Sequence, residues 1–242
     1  MKRCFDFLCA FMGLIIFSPF LIIVMLIIWL HDRHSPFYIA TRIGLNGREF
    51  KMVKLRSMIF NADKSGVDST SGDDNRITAV GHFIRRFKLD EVSQLYNVLI
   101  GDMSLVGPRP NVKRETNSYT DEEKKLLSVR PGITDFASIV FSDEGEILKG
   151  KTNPDLVYNQ LIRPYKSRLG LFYIENRGFW LDVSLCILTI TTLLSRRLSL
   201  TVIQRILISY DADELLVNVA RRKNQLQPAP PPGAKAIVTK RS

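Results

Sequence analysis

FLCAFMGLIIFSPFLIIVMLIIWL, running from Phe7 to Leu30, carries no charged residue and decides the fold class. At about 1.5 Å per residue, a helix of this length could cross a hydrocarbon core of roughly 30 Å. The run exceeds the apolar region of a cleaved signal peptide and no small-residue cleavage site follows, so retention is expected. Ser18-Pro19 divides it into Phe7 to Phe17 and Phe20 to Leu30. Pro19 supplies no backbone donor and its ring crowds the carbonyl of Ile15, so a bend is expected there. Each half reaches only about 16 Å. A helix that enters, breaks and returns would bring Lys2 and Arg3 to the side of Arg33, with the Ser18 hydroxyl on a freed carbonyl. A kinked helix that simply crosses is the commoner outcome for such a sequence, and the residues alone leave both open.

Outward from this segment, the chain of 242 residues has room for one domain with a real core. Lys and Arg outnumber Asp and Glu 34 to 24, a net charge of +10 that favours phosphates, nucleic acid or acidic headgroups as partners. The cations form neither a recognition helix nor an aromatic stacking platform, which argues against nucleic acid. Cys4, Cys9 and Cys186 lack metal-ligand spacing and are odd in number, so neither a zinc site nor a disulfide framework is expected.

Phe37 to Ile43 and Arg48 to Leu55 flank Asn46-Gly47 and read as a β-hairpin. Lys54 and Arg56, two residues apart, are expected on one face, where they would suit a diphosphate or simply guard a solvated edge. Asn61 to Asn75 reads as a mobile loop or lid. A basic segment, His82 to Lys88, leads into Leu89 to Leu99, where Val92, Leu95, Tyr96 and Leu99 recur at helical spacing. Thr120 and Glu123 make a capping box, and Asn153-Pro154-Asp155 opens a helical stretch that Pro164 interrupts. Phe179 to Leu194, short and holding Asp182, suits a helix at headgroup depth. Leu200 to Asn224 reads as one amphipathic helix, and the Pro-rich tail from Gln225 as disordered. No internal repeat is found.

Asp90-Glu91 lies just after Arg85, Arg86 and Lys88, where cations and a helix start hold carboxylates ionised. Such a carboxylate can attack phosphorus, its neighbour can hold Mg²⁺, and arginines can neutralise phosphate oxygens. Helix capping by Asp90 and an exposed salt bridge from Glu91 is the commoner meaning of this spacing. The odds change with Gly101-Asp102-Met103-Ser104 and Val106-Gly107-Pro108-Arg109-Pro110 downstream, followed by Arg130-Pro131-Gly132-Ile133-Thr134. Pro108 and Pro110 stiffen the turn that presents Arg109.

These motifs, with Lys2-Arg3-x-x-Asp6, Ser18-Pro19, Arg42-Ile43-Gly44 and Lys54-Leu55-Arg56-Ser57-Met58, appear in an order that resembles the monotopic phosphoglycosyl transferases, a family of bacterial sugar transferases. The resemblance runs from about Lys2 to about Ser195. It implies a mainly α fold with a small β-hairpin, a monotopic membrane protein with a re-entrant helix broken at Ser18 and Pro19, and interfacial amphipathic helices. The implied divisions are 1–34, the membrane helix; 35–198, a cytosolic catalytic domain; and 199–242, an amphipathic helix and disordered tail. The resemblance further implies Asp90 as nucleophile toward a UDP-sugar with release of UMP, and polyprenyl phosphate as acceptor. Glu91, with Asp90, would hold Mg²⁺; Arg85, Arg109, Pro108 and Pro110 would bind phosphate; Lys54 and Arg56 would lie near the nucleotide. The setting would be the cytosolic face of the bacterial inner membrane, at the first step of surface glycan assembly. Membrane lipids and downstream glycosyltransferases are the further expected partners, and homodimerisation is allowed. Where many members read Gly-Leu after Gly-Ile-Thr, this chain has Asp135-Phe136, a region expected to bear on sugar choice. A competing enzyme class is suggested by Asp211-Ala212-Asp213, which imitates the Asp-x-Asp metal motif of nucleotide-sugar glycosyltransferases; a basic membrane-tethered scaffold is the non-enzymatic alternative.

Overall fold

The computed structural model describes residues 1–65 and 69–239, with the backbone alone for Lys64 and Ser65; residues 66–68, inside the expected lid, and 240–242 lie outside the described residues. Helix α1 (Lys2–Asp32) is followed by strands β1 (Phe37–Ile43) and β2 (Glu49–Leu55), then by α2 (Ala79–Arg86), α3 (Leu89–Val92) and α4 (Leu95–Ile100). Strand β3 (Ser104–Val106), α5 (Lys113–Asn117), α6 (Asp121–Lys124) and β4 (Gly132–Thr134) come next. The remainder is helical: α7 (Phe136–Val140), α8 (Glu144–Leu148), α9 (Pro154–Val157), α10 (Arg163–Asn176), α11 (Phe179–Leu194), α12 (Arg196–Ser209) and α13 (Glu214–Arg221).

Helix α1 continues through Pro19. The Ile15 carbonyl, which Pro19 cannot serve, accepts the Ser18 hydroxyl at 2.8 Å. Both ends of α1 are fastened to the same folded body. At its start, Lys2 Nζ donates to Asp182 Oδ2 at 2.5 Å and to the Val106 carbonyl at 3.1 Å. Arg3 donates to the carbonyls of Val98 and Leu99, which end α4, and buried Asp6 accepts from Ser104 Oγ at 2.8 Å and Leu105 N at 3.2 Å. At its far end, Asp32 receives the Arg56 guanidinium. Between these anchors Ala10 packs with Ala40, Met52 and Val98, while Leu21, Val24 and Ile28 pack with Leu55, Ile84 and Leu89. The opposite face, including Phe7, Phe11, Ile15, Ile16, Ile22 and Leu26, is exposed.

Strands β1 and β2 pair antiparallel around Asn46, whose φ of 55° is the left-handed conformation the Asn-Gly turn suits. A second, parallel ladder was not foreseen: Ser104 pairs with Gly132 and Val106 with Thr134. Three-residue strands carry too little alternation to be read from sequence. A Cβ on Gly132 would lie 2.1 Å from the Gly107 nitrogen, so only glycine lets the two downstream motifs meet backbone to backbone.

Leu89 to Leu99 is two helices, α3 and α4, rather than one. Leu89, Ser93, Gln94, Asn97 and Val98 are buried; Val92, Leu95 and Leu99 pack half-buried against the core as their spacing predicts, while Tyr96 is exposed. The polar residues go inside because Asn97 serves the free edge of β2, accepting from Val53 N at 2.9 Å and donating to the Lys51 carbonyl at 2.7 Å. The capping box at Thr120 and Glu123 is present, and Pro164 falls in the first turn of α10 after a π-helical turn over Tyr158–Ile162. Instead of one helix over Leu200 to Asn224, α12 and α13 meet at a corner where Asp211 has φ 52° and Asp213 caps α13 by accepting from Leu215 N. These helices share the main core with α7, α10 and α11, through Ile203, Leu207, Leu216 and Ala220 among others. Residues 225–239 form neither helix nor strand but are held against α10. The Gln227 carbonyl accepts Tyr165 OH at 2.7 Å, and Pro231 and Pro232 are buried.

Gly132→Ala should cost about 1–3 kcal/mol through backbone overlap. At about 2–4 °C per kcal/mol for a chain of this size, the thermal midpoint should fall by several degrees. Gly178→Ala, whose Cβ meets nothing within 4 Å, should stay within about 1 °C of the parent. Equal midpoints for the two variants would contradict the close approach.

Candidate active site

The site is built where α2, α3, β2 and the turn after β3 converge. Helix α2 presses against the end of β2: a Cβ on Gly81 would fall 1.8 Å from the Ser57 carbonyl oxygen, and Arg85 Nε donates to Ser57 Oγ at 3.0 Å. Lys88, at φ 52°, turns the chain sharply into α3. Ser93 then ties α3 to β2, donating to the Val53 carbonyl at 3.3 Å. The carboxylates Asp90 and Glu91 occupy the first turn of α3, and neither caps it. The capping reading of Asp90 is thereby set aside.

Consecutive helical residues point about 100° apart, and the two acids meet different cations. Lys54 Nζ, from β2, lies 3.8 Å from Asp90 Oδ2. Arg109 NH1 lies 2.9 Å from Glu91 Oε1. Arg109 is fixed by the interlocked motifs: Gly107 N donates to the Thr134 carbonyl at 3.0 Å, and Gly132 N to the Pro108 carbonyl at 3.0 Å. Arg85 joins them electrostatically, with Asp90 among the charges that act on it.

Burial sets the balance. It would raise the Glu91 carboxyl, but the charges of Arg109, Lys88 and Lys54 outweigh it and hold that group down at about 2. Glu91 in turn raises Arg109 above the usual guanidinium value, against burial. Lys54 is pushed down to about 8, first by burial and then by Arg109, with Asp90 and Glu91 pulling against the shift. Glu91 is therefore ionised throughout the physiological range, whereas Lys54 titrates near its alkaline limit.

Among the expected residues, the structure brings together Asp90, Glu91, Lys54, Arg85 and Arg109. Arg56 is not with them. Strand β2 ends at Leu55, and the Arg56 guanidinium is committed to Asp32 and, through Nε at 2.8 Å, to the Ser35 carbonyl. Pro108 and Pro110 flank Arg109 and line space beside it, while Ser18 and Pro19 lie midway along α1. Ser57, Ser93 and Asn97 were missed; for Ser93 and Asn97, polar residues four apart beside an apolar face were the available signal.

Mg²⁺ takes one or two carboxylates and completes its octahedron with water and substrate phosphate oxygens. The carboxylates of Asp90 and Glu91, adjacent in the first turn of α3, fit that requirement. An all-protein cage does not arise, since no group of three or more His, Cys, Asp or Glu is assembled among the described residues.

Beyond Arg109 opens a cleft of about 470 Å³, solvent-open space included, lined by Pro108, Arg109, Asp135, Ser138, Tyr158 and Lys166 among others. Asp135 lies in its wall, buried and accepting Ser138 N at 2.6 Å and Ser138 Oγ at 2.7 Å. Arg163, also in the wall, is wholly engaged by Glu123, Ser118 and Asn159. Tyr158, Arg163 and Lys166 were not anticipated, because their helical spacing alone does not distinguish a cleft wall from a solvated face.

A profile of the bacterial sugar transferase family matches residues 1–196. The chain is 32% identical over 199 residues to the UDP-N-acetylgalactosamine-undecaprenyl-phosphate N-acetylgalactosaminephosphotransferase of Aeromonas hydrophila, covering 80% of this chain and 44% of that protein. It is 33% identical over 216 residues to the undecaprenyl-phosphate galactose phosphotransferase of Salmonella typhimurium, covering 81% and 41%. A third relative is the UDP-glucose:undecaprenyl-phosphate glucose-1-phosphate transferase of Caulobacter vibrioides, 32% identical over 197 residues, covering 80% and 70%. The chain spans less than half the length of the first two.

Because Lys54 loses its proton as pH rises through about 8, the site loses a positive charge there. Affinity for a diphosphate anion, measured by calorimetry, should therefore fall several-fold between pH 7 and pH 9. In Lys54→Arg, whose guanidinium keeps its charge, this decline should vanish. Parallel profiles for parent and variant would rule out Lys54 as its source.

Proposed function

The chain belongs to the bacterial sugar transferase family, and from that premise we propose that it transfers a sugar-1-phosphate from a UDP-sugar to polyprenyl phosphate, releasing UMP. The observation that carries this reading is the adjacent carboxylate pair at the meeting point of Lys54, Arg85 and Arg109, beside a long apolar helix. Glu91 is held by Arg109 at 2.9 Å, whereas Asp90 is only within 3.8 Å of Lys54, which favours Asp90 as the group free to react.

Asp90 attacks the β-phosphorus of the donor. The Asp90 O–P bond forms as the bond from that phosphorus to the bridging oxygen breaks, and UMP departs with the electron pair. A phosphate oxygen of the polyprenyl phosphate next attacks the same phosphorus. The acyl phosphate O–P bond breaks and Asp90 is restored as a carboxylate. Arg85, Arg109 and protonated Lys54 orient the donor and offset charge on the phosphoryl oxygens. Glu91, with Asp90 beside it, would hold Mg²⁺, which supplies further neutralisation of phosphate charge when bound. The cleft past Arg109 is the space for the rest of the donor. The relatives are named for three different sugars, so family membership leaves the sugar open.

A water-soluble donor and a lipid acceptor must meet at a membrane surface. That both Lys2 and Asp32 hold the same domain supports a helix that returns to its own side of the bilayer, with its exposed apolar face toward lipid. Exposed Trp180, Ile187, Ile190 and Leu194 on α11 support an interfacial seat for that helix. The enzyme would then work on the cytosolic face of the bacterial inner membrane, handing its product to downstream glycosyltransferases. The Asp-x-Asp alternative is disfavoured, since Asp213 is used as a helix cap.

Purified protein with Mg²⁺ and undecaprenyl phosphate should release UMP from at least one member of a UDP-sugar panel. Asp90→Asn should lower turnover by about 10³-fold or more; activity that survives it would refute the nucleophile. In oriented vesicles, a membrane-impermeant maleimide should label Cys4 and an introduced His34→Cys from the same face, in a Cys9→Ser background. Labelling from opposite faces would mean that α1 crosses.

A further inference from the structure

The tail beyond α13 lies outside the family match and has no place in the chemistry, yet it is tethered to the folded body. Four bonds hold it. Tyr165 OH donates to the Gln227 carbonyl at 2.7 Å, and Ala229 N donates to the Gln160 carbonyl at 3.1 Å. Thr120 Oγ1 donates to the Pro232 carbonyl, and Gln160 Nε2 to the Val238 carbonyl at 2.8 Å. Leu226 and Ala229 add packing against the main core. Pro228, Pro230, Pro231 and Pro232 lack N–H groups and favour an extended chain, so the segment loses little conformational freedom on docking and leaves its carbonyls to accept side-chain donors.

What it grips is the back of the cleft. Gln160, held from two sides, lies within the π-helical turn Tyr158–Ile162. Tyr158 at one end of that turn, and Arg163 and Lys166 just after it, line the cleft beside Arg109. Thr120 caps α6, whose Glu123 binds Arg163. A π turn is a rare and weakly favoured geometry that often marks functional positions. We propose that residues 225–239 are a strap that holds this turn in its wide form, making Gln160 a positioning residue for the cleft wall and hence for donor affinity. The link to donor affinity rests on the function proposed above.

Two variants test it in the full-length, membrane-embedded protein: a chain stopped after Asn224, and Gln160→Ala. Hydrogen–deuterium exchange over 156–168 should quicken in both, while α4 stays as in the parent. KM for the UDP-sugar should rise roughly fivefold in the truncated chain with kcat within about twofold, since the reacting groups are untouched. A merely structural tail would instead reduce the active fraction, lowering kcat at constant KM, and that result would overturn the proposal. Unchanged exchange over 156–168 would overturn it too, whether or not the enzyme turns over. Should the shortened chain not fold, Gln160→Ala decides by the same two readouts. A parent protein that releases no UMP from any donor would defeat the functional reading, while the exchange measurement still judges the strap.

Discussion

Two neighbouring carboxylates, Asp90 and Glu91, sit among three basic side chains in a place largely removed from water, and most of the structure answers to that arrangement. Unit charges about 4 Å apart attract by roughly 4 kcal/mol at an effective dielectric near 20, enough to offset burial only when the partners are already in place. No single element could supply them. Lys54 comes from a strand, Arg85 from the end of a helix, and Arg109 from a turn between prolines. Their convergence is enforced by backbone contacts that tolerate no side chain, at Gly81 on Ser57 and at Gly132 on Gly107, and by Asn97 and Ser93 along the edge of β2.

The apolar helix takes part in the same scheme. Arg3 occupies the carbonyls at the end of α4, where a cation is favoured, and Asp6 and Lys2 hold the backbone of β3, which leads directly to Arg109. Asp32, at the other end, holds Arg56, two residues beyond Lys54. The helix thus brackets the site from both sides, and its polar termini are structural parts of the domain. Arg56 is part of this fixture, its guanidinium joining the end of the helix to the chain just past β2.

The legible parts of the molecule were those with a local cause. The apolar run, the Asn-Gly hairpin, the Thr120 capping box and the Ser18 hydroxyl on Ile15 all follow from neighbouring residues. The dyad was legible too, though its isolation from solvent was not, because Lys54 and Arg109 approach it from 36 residues before Asp90 and 18 after Glu91 in the chain. Three-residue strands, the split at Ser93-Gln94 and the seating of the Pro-rich tail were illegible for one reason. Each is decided by a distant partner: Gly132 for Ser104, Val53 for Asn97, Gln160 for Ala229. Composition suggested disorder for the tail since prolines cannot form ladders, but a proline-rich chain can still dock by its carbonyls.

The adjacency of Asp90 and Glu91 is itself informative. Residues i and i+1 on a helix do not face one another, so each can be given a separate environment within a single turn. Glu91 is gripped by Arg109 and its proton affinity is driven down. That suits a group that must remain an anion toward a cation. Asp90 faces a lysine at 3.8 Å, a looser contact that an incoming phosphoryl group could displace. A lysine meets that carboxylate with a single point charge, whereas a guanidinium could grip it through two donors at once. One helical turn therefore separates a held acid from a releasable one, and the two cations, more than the two acids, determine which is which.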